Sequence, residues 1–535
     1  MNRPEVRTES LGGSPLSVAA RAGRVPDWYP ALPRDARGWR SHARDVAGDV
    51  GSDWLDALSP AFAASGAAAQ RLAQSANGKG VVVTTGQQPG LFGGPIMTLA
   101  KAITARAIAD VLRDATGIPV APVFWAATDD ADFAETAGVW VATDSGADEL
   151  RLTHKPPVGT PMALAPLDDA IRPLVQHLRA ASGSAPHSSY LEAAVRAYTR
   201  DGNTIGGAYV DVLRELLEPL EIAVLDASHD TVISRARGVL VHAAQSADSL
   251  ALAVHARSEA IRAAGYHPQV EEVAGLSLVS ITENGTKRRL PIREAASSGT
   301  SDARASIAFT RAHLSPTVLL RPVVERAILP TATYIGGPGE IAYFAQVSAV
   351  AESLRAAVPR IAPRWSTTII EPRIRKCLDE LRLSAEELGD PHAAETRIAR
   401  QHVAPGVDGA IQLLRADLAR AIDALRAADG ELLSARALDG ARRGIEHRIE
   451  RLERRVLAGV KRREAALMRD IAVVRGSLFP GDIRQERRLA FVPLLAKYGP
   501  ALLDDMLAAA RAHARGLIGD SPTLAAPSVA TAARV

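Results

Sequence analysis

Three stretches of this chain set groups able to do chemistry at the ends of apolar runs. The first is Thr84-Thr85-Gly86-Gln87-Gln88-Pro89-Gly90-Leu91-Phe92-Gly93-Gly94-Pro95. Its glycines let backbone approach a ligand closely and accept positive φ. N–H groups at a helix start near Gly94 suit a carboxylate or a phosphate. Gln87 and Gln88 carry neutral amides that both donate and accept, which suits an amino acid or a sugar. The stretch is neither G-x-G-x-x-G nor G-x-x-x-x-G-K-[ST], so those mechanisms do not transfer. A tight strand-to-helix turn is the plainer explanation, but such a turn needs no glutamine.

The second stretch is Trp125-Ala126-Ala127-Thr128-Asp129-Asp130-Ala131-Asp132-Phe133-Ala134-Glu135. Asp129, Asp130 and Asp132 follow an apolar run, with Glu135 close behind. Carboxylates at a strand end can hold an ammonium group, a sugar hydroxyl or Mg2+, or act as a base. A solvated acidic loop that caps a helix is the alternative. The third stretch is Arg321-Pro322, followed by Thr333-Tyr334-Ile335-Gly336-Gly337-Pro338-Gly339-Glu340-Ile341-Ala342-Tyr343. Arg321 is the best candidate for gripping a carboxylate with two parallel hydrogen bonds. Glu340 stands at a helix start, where the dipole alone would favour it. Tyr343 and Gln346 are one helical turn apart and could share a face.

These groups need elements to position them. Val81-Val82-Val83 in Gly80–Thr84 reads as a strand buried on both faces. A helix over Ile96–Asp114 and a strand over Val120–Ala127 complete a strand–helix–strand unit of a parallel sheet. Ile222–Asp226, Ala332–Ile335 and Thr367–Ile370 add further strands. A helix spans Ser228–Ala264. Leu276–Ile281 and Arg288–Ile292 flank Glu283-Asn284-Gly285 as a hairpin. In open sheets of this kind ligands bind at the carboxyl ends of the strands. The three stretches therefore predict one polar pocket at one sheet edge.

From about Val407 the pattern changes. Apolar residues at Ile411, Leu414, Leu418, Ile422 and Leu425, then at Ile445, Ile449, Leu452, Val456, Val460, Leu467, Ile471 and Val474, step by threes and fours. This predicts an antiparallel helical hairpin turning near Asp429-Gly430. Its second helix is expected to run some 40 residues, roughly 60 Å at ~1.5 Å per residue. Arg436 to Arg475 holds 12 Lys/Arg against 6 Asp/Glu. That basic face is solvated or meets an acidic surface.

The predicted organisation is a flexible N-terminus (1–24), a parallel-sheet α/β catalytic core (25–375) with an inserted segment (about 150–320), a helical region (376–515) carrying the arm (about 407–475), and a flexible tail (516–535). The chain has 535 residues, 47% of them apolar, and a formal charge of +3. So small a charge gives nucleic-acid binding little support. There is no signal-type apolar segment and no apolar run of ~18 residues, so membrane insertion is not expected. One cysteine, Cys377, excludes an intramolecular disulfide and a multi-cysteine zinc site, and suits a cytoplasmic location. Cys377 is a reactive thiol or, more plainly, a packed small residue.

The ordered set of motifs resembles the BshC family of bacillithiol-biosynthesis cysteine-adding enzymes. The resemblance runs from about Trp28 to Leu517. It is most specific at Thr85–Pro95, Pro122-Val123-Phe124-Trp125, Gly265-Tyr266-His267-Pro268-Gln269, Leu319-Leu320-Arg321-Pro322 and Gly336–Tyr343, with Leu478-Phe479-Pro480 and Gln485-Glu486-Arg487 near the end. It implies a Rossmann-like core, a coiled-coil arm that pairs two subunits, and a ligase that adds cysteine to glucosaminyl malate through an amide bond. ATP is the candidate activating cofactor and Mg2+ a candidate companion; no resident metal is expected. Asp129, Asp130 and Asp132 are the candidate catalytic acids. Gly86, Gln87, Gln88, Gly93, Gly94, Arg321, Tyr334, Gly336, Gly337, Glu340 and Tyr343 are the candidate substrate-binding residues. The chain departs from the family at Ala131, where relatives usually carry a histidine, and it lacks HIGH and KMSKS signatures. A ligase or nucleotidyltransferase acting on another amine, and a non-catalytic coiled-coil scaffold, are the alternatives.

Overall fold

A computed structural model describes residues 3–297, 313–390, 392–428 and 434–519. The strands are β1 (Glu5–Thr8), β2 (Val81–Gln87), β3 (Val120–Ala126), β4 (Gly138–Thr143), β5 (Gly146–Arg151), β6 (Ala223–Asp226), β7 (Leu276–Glu283), β8 (Thr286–Pro291), β9 (His313–Pro316), β10 (Thr331–Gly336), β11 (Ile361–Pro363) and β12 (Thr367–Ile370). Five of them form a parallel sheet in the order β11-β10-β2-β3-β6. The β-branched run of β2 puts it at the centre, where Val81, Val82 and Val83 are fully buried. Each such side chain contributes about 1.5–3 kcal/mol. The helix Ile96–Thr116 connects β2 to β3 and is buried along most of its length.

Contacts divide the chain into two units. The first comprises Met1–Val141, Glu149–Ile369 and Glu486–Val535; the second comprises Ala142–Asp148 and Ile370–Gln485. The expected helical region 376–515 is therefore shared between them. The long helix Val492–Ile518 belongs to the first unit and packs on Ile96–Thr116 and Ser188–Thr199. The expected insertion, about 150–320, returns to the main sheet at β6 and carries a second, antiparallel sheet in the order β8-β7-β9. The Asn284-Gly285 hairpin forms as expected, with both residues at positive φ.

Several expectations are corrected. The N-terminal segment is structured over residues 5–21: β1 pairs with β12, and helix Pro15–Arg21 buries Leu16 and Ala19 after Ser14 caps it. Thr367–Ile370 is thus a strand outside the parallel sheet, whose edge is the short β11. The helix predicted over Ser228–Ala264 is two helices, Asp230–Gln245 and Ala247–Ala263, breaking at Ser246. At the other end of the chain the long helix reaches Ile518, while residues 520–535 of the expected tail lie outside the described part.

In the second unit, Pro405–Ala428 and Ala435–Arg463 run antiparallel, as the Arg415–Glu453 and Arg426–Asp439 pairs show. The predicted turn at Asp429-Gly430 lies outside the described residues. The second helix does not continue for 40 residues. It stops at Glu464, where Lys461 and Arg463 are tied to Glu395 and the His402 carbonyl, and Ala465–Leu478 starts anew. Its 29 residues span about 44 Å. Ile411, Ile422, Ile449 and Val460 are buried, whereas Leu414, Leu425, Ile445 and Leu452 remain exposed. Two helices cover only part of so wide an apolar stripe. Among the described residues no helix is long and apolar enough to cross a membrane.

Candidate functional site

β2, β3, β6 and β10 are parallel, so Gln87, Ala126, Asp226 and Gly336 end at one edge of the sheet. A cavity of about 1260 Å³ opens there. All three sequence stretches reach it: Gly86, Gln87 and Gln88; Asp129, Asp130 and Asp132; and Arg321, Tyr334, Gly337, Glu340 and Tyr343. Gly86 must be glycine because a Cβ would lie 2.9 Å from the Trp125 carbonyl on β3.

Gly93, Gly94 and Gly336 are not in the cavity wall. A Cβ on Gly93 would meet the Phe491 ring at 2.8 Å, and one on Gly336 would meet Ile361 at 2.5 Å. The helix start beyond Gly94 is also not free for an anion. Ile96 N donates to the Leu489 carbonyl at 2.8 Å, and Pro95 bridges Ala490. These glycines serve close packing.

The three aspartates differ in their surroundings. Asp129 is ion-paired with Lys287 at 3.0 Å, and the same ammonium holds the Asp129 carbonyl at 2.8 Å. Asp132 accepts from Glu135 N as the N-cap of helix Phe133–Thr136, the role that needs no substrate. Asp130 accepts from Asp132 N at 2.9 Å and has no cationic partner in contact among the described residues. Burial, with the charges of Asp129 and Asp132 adding to it, pushes its carboxyl above the usual range. Burial pushes Glu135 up as well, helped by Asp130 and Asp132.

Arg321 lines the cavity and is held by partners of its own. Its Nη1 donates to Glu325 at 2.8 Å, its Nη2 to the Tyr343 hydroxyl at 3.3 Å, and its guanidinium lies 4.8 Å above the Tyr334 ring. Glu325 in turn accepts from Thr84 on β2. Glu340 accepts from Gly337 N (2.7 Å), from the Tyr334 hydroxyl (2.5 Å) and from Lys101 Nζ (2.6 Å). Burial alone would raise the Glu340 carboxyl, but Lys101 and these donors hold it below the usual range. Gln346 does not line the cavity beside Tyr343. It is fully buried and clamps Val270 through both backbone N and O, which sets Gln269 in the cavity wall.

Lys101, Lys287, Glu325, Gln269 and Arg487 escaped the sequence reading as site residues. Lys101 left a trace, as a lone lysine among apolar residues of a buried helix. Arg487 is carried on a turn anchored by its neighbour. The Glu486 carboxylate receives two 2.8 Å bonds from the buried Arg364 and further bonds from Ser366 and Thr367 N. Among the described residues no group of three or more His, Cys, Asp or Glu is arranged to hold a metal ion.

Comparison with known families matches this architecture piece by piece. The family model for the bacillithiol biosynthesis BshC N-terminal Rossmann-like domain matches residues 49–365, and that for the BshC C-terminal coiled-coil domain matches 367–516. The chain belongs to the BshC family. Relatives named "Putative cysteine ligase BshC" include one from Solibacter usitatus (strain Ellin6076), 34% identical over 80% of this chain and 82% of its own. One from Koribacter versatilis (strain Ellin345) is 32% identical over 80% and 81%. One from Heliobacterium modesticaldum (strain ATCC 51547 / Ice1) is 28% identical over 92% and 91%. BshC membership makes this chain a ligase-class enzyme of bacillithiol biosynthesis.

Proposed function

We propose that the cavity joins cysteine to glucosaminyl malate through an amide bond. The observation that carries this reading is the meeting of the double-glutamine turn, the acidic loop and the Glu340–Tyr334–Arg321 cluster in one cavity of a BshC chain. At about 1260 Å³ it exceeds the roughly 300–1,000 Å³ of an ordinary small-molecule pocket, leaving room for two reactants. The glucosamine amine attacks the carbon of the ATP-activated cysteine carboxyl, the C–N bond forming as the C–O bond to the activating phosphate group breaks, and the amine must lose a proton. Asp130, neither ion-paired like Asp129 nor the cap of a helix like Asp132, takes it. Cysteine's carboxylate is a poor electrophile, and ATP would supply its activation. Arg487, on the cavity wall with no ion-pair partner among the described residues, is the cation suited to hold a phosphate. We assign the reaction to the cytoplasm, where the cysteine substrate stays a free thiol.

Isothermal titration with glucosaminyl malate, cysteine and ATP, followed by mass detection of the thiol product, tests this. Binding of glucosaminyl malate and ATP-dependent formation of bacillithiol are expected. A protein that binds none of the three and makes no thiol would sink the proposal. Ala131 favours a second reading, in which another amine is the acceptor. Under that reading, cells lacking the protein would keep a normal thiol profile; under ours they would lose bacillithiol and accumulate glucosaminyl malate.

We also infer a homodimer through the arm, supported by the exposed Leu414, Leu425, Ile445 and Leu452. Sedimentation velocity should give a dimer, and Leu414→Glu with Leu452→Glu a monomer. A monomer before substitution would refute it.

A further inference from the structure

Beneath the cavity lies a chain of hydrogen bonds whose direction is fixed from one end. Lys101 is almost fully buried on helix Ile96–Thr116, with its side chain 3% exposed. An ammonium group has three donors and no acceptor. All three donors are used: on the Gly86 carbonyl at 2.8 Å, on Gln87 Oε1 at 2.9 Å and on Glu340 at 2.6 Å. Because Lys101 can only donate, Gln87 must turn its oxygen toward it. The Gln87 Nε2 then faces Gln88 and donates to Gln88 Oε1 at 3.0 Å. Gln88 therefore accepts from inside the turn, and its NH2 remains for the cavity it lines. Among the described residues no protein acceptor serves that NH2. The two ends of a carboxamide have the same shape, so its orientation is decided by its network. Here a donor-only neighbour decides it.

We propose that Lys101 is a positioning residue that sets the hydrogen-bond sense of the double-glutamine turn. Gln88 thereby presents donors, and the subsite beside it takes an acceptor oxygen, such as that of a carboxylate, in preference to an ammonium group. This deepens the ligase reading and rests on it for the identity of the ligand, since glucosaminyl malate carries two carboxylates on its malyl part. Glu340 keeps the device in place by balancing the buried ammonium.

Neutron diffraction from crystals of the unliganded protein exchanged into D2O reads the sense directly. Deuterons on the Gln88 atom facing the cavity are expected; an oxygen there overturns the proposal, whatever the substrate. Titration with glucosaminyl malate gives the second readout. Gln87→Glu keeps the shape of the turn and the contact to Lys101, but its second carboxylate oxygen forces Gln88 to turn its NH2 inward. Binding should weaken about tenfold or more with no loss of thermal midpoint. Gln88→Met, which removes the donors without adding charge, should weaken it similarly. Unchanged affinity in both variants overturns the proposal. If the unaltered protein binds no glucosaminyl malate, the ligase reading falls, and the neutron result alone decides the polarity.

Discussion

Replacing Asp130 by asparagine is expected to lower amide formation by roughly 10²- to 10⁴-fold, the usual contribution of a positioned general base. Asparagine keeps the oxygen that accepts from Asp132 N, so the loop should hold its shape. The other two aspartates cannot substitute readily. Asp129 is neutralised by Lys287, and Asp132 caps a helix. Ala131 stands where the family resemblance would put a histidine. The pH dependence has a definite sign. A general base must be unprotonated, and burial holds the Asp130 carboxyl above the usual carboxylate range. The acid limb of kcat/KM should therefore lie above that range, and activity should fall as pH drops through it. A raised carboxyl also means that ionising it costs folding stability. Asp130→Asn should consequently leave the thermal midpoint unchanged or slightly higher. Activity within a few-fold of the unaltered enzyme would remove Asp130 from the mechanism.

Glu486→Ala should give the largest loss of stability, about 3–5 kcal/mol, because it strands the charge of Arg364 in the interior. The two side chains are 4% and 1% exposed and meet through two parallel 2.8 Å bonds. Ser366 and Thr367 N complete the carboxylate's partners. Urea unfolding measures the loss. Glu486→Met together with Arg364→Leu should recover much of it, since removing both charges leaves neither unpaired. Burial alone would raise the Glu486 carboxyl, but Arg364, Ser366 and Thr367 N hold it below its ordinary value. Its contribution is thus present above the unfolded carboxylate pKa and is lost as pH falls through the lower folded one. A loss below about 1 kcal/mol would show that water reaches the pair.

The parallel sheet was legible where strands are buried on both faces. Val81-Val82-Val83 and Pro122-Val123-Phe124-Trp125 admit few other readings. β11 was not legible, because three residues ending in proline carry too little pattern. Thr367–Ile370 announced a strand, but composition does not name a partner, and its partner lies about 360 residues earlier. At the site, the strand–glycine–helix pattern pointed to Gln87 and Gln88 and the acidic strand end to Asp130, and all three line the cavity. The glycine pattern could not separate glycines that face the cavity from Gly93, which makes room for Phe491. The internal partner of Arg321 was missed although it is local. Glu325 lies four residues on, at the spacing of a helical ion pair, and takes the guanidinium. Lys101 needed coordinates, since its three acceptors come from two distant parts of the chain.

The strand at residues 5–8 has a consequence for how the chain is made. Its hydrogen-bonding partner at 367–370 leaves the ribosome roughly 20–70 s later, at ~5–20 residues per second. The helix that covers Ile96–Thr116 comes later still, because it ends at Ile518. Until then the nascent sheet unit exposes apolar surface on one of its helices and an unpaired first strand. Domain-by-domain folding during synthesis is therefore closed to this unit, and its yield in the cell should depend on chaperones that hold such surfaces.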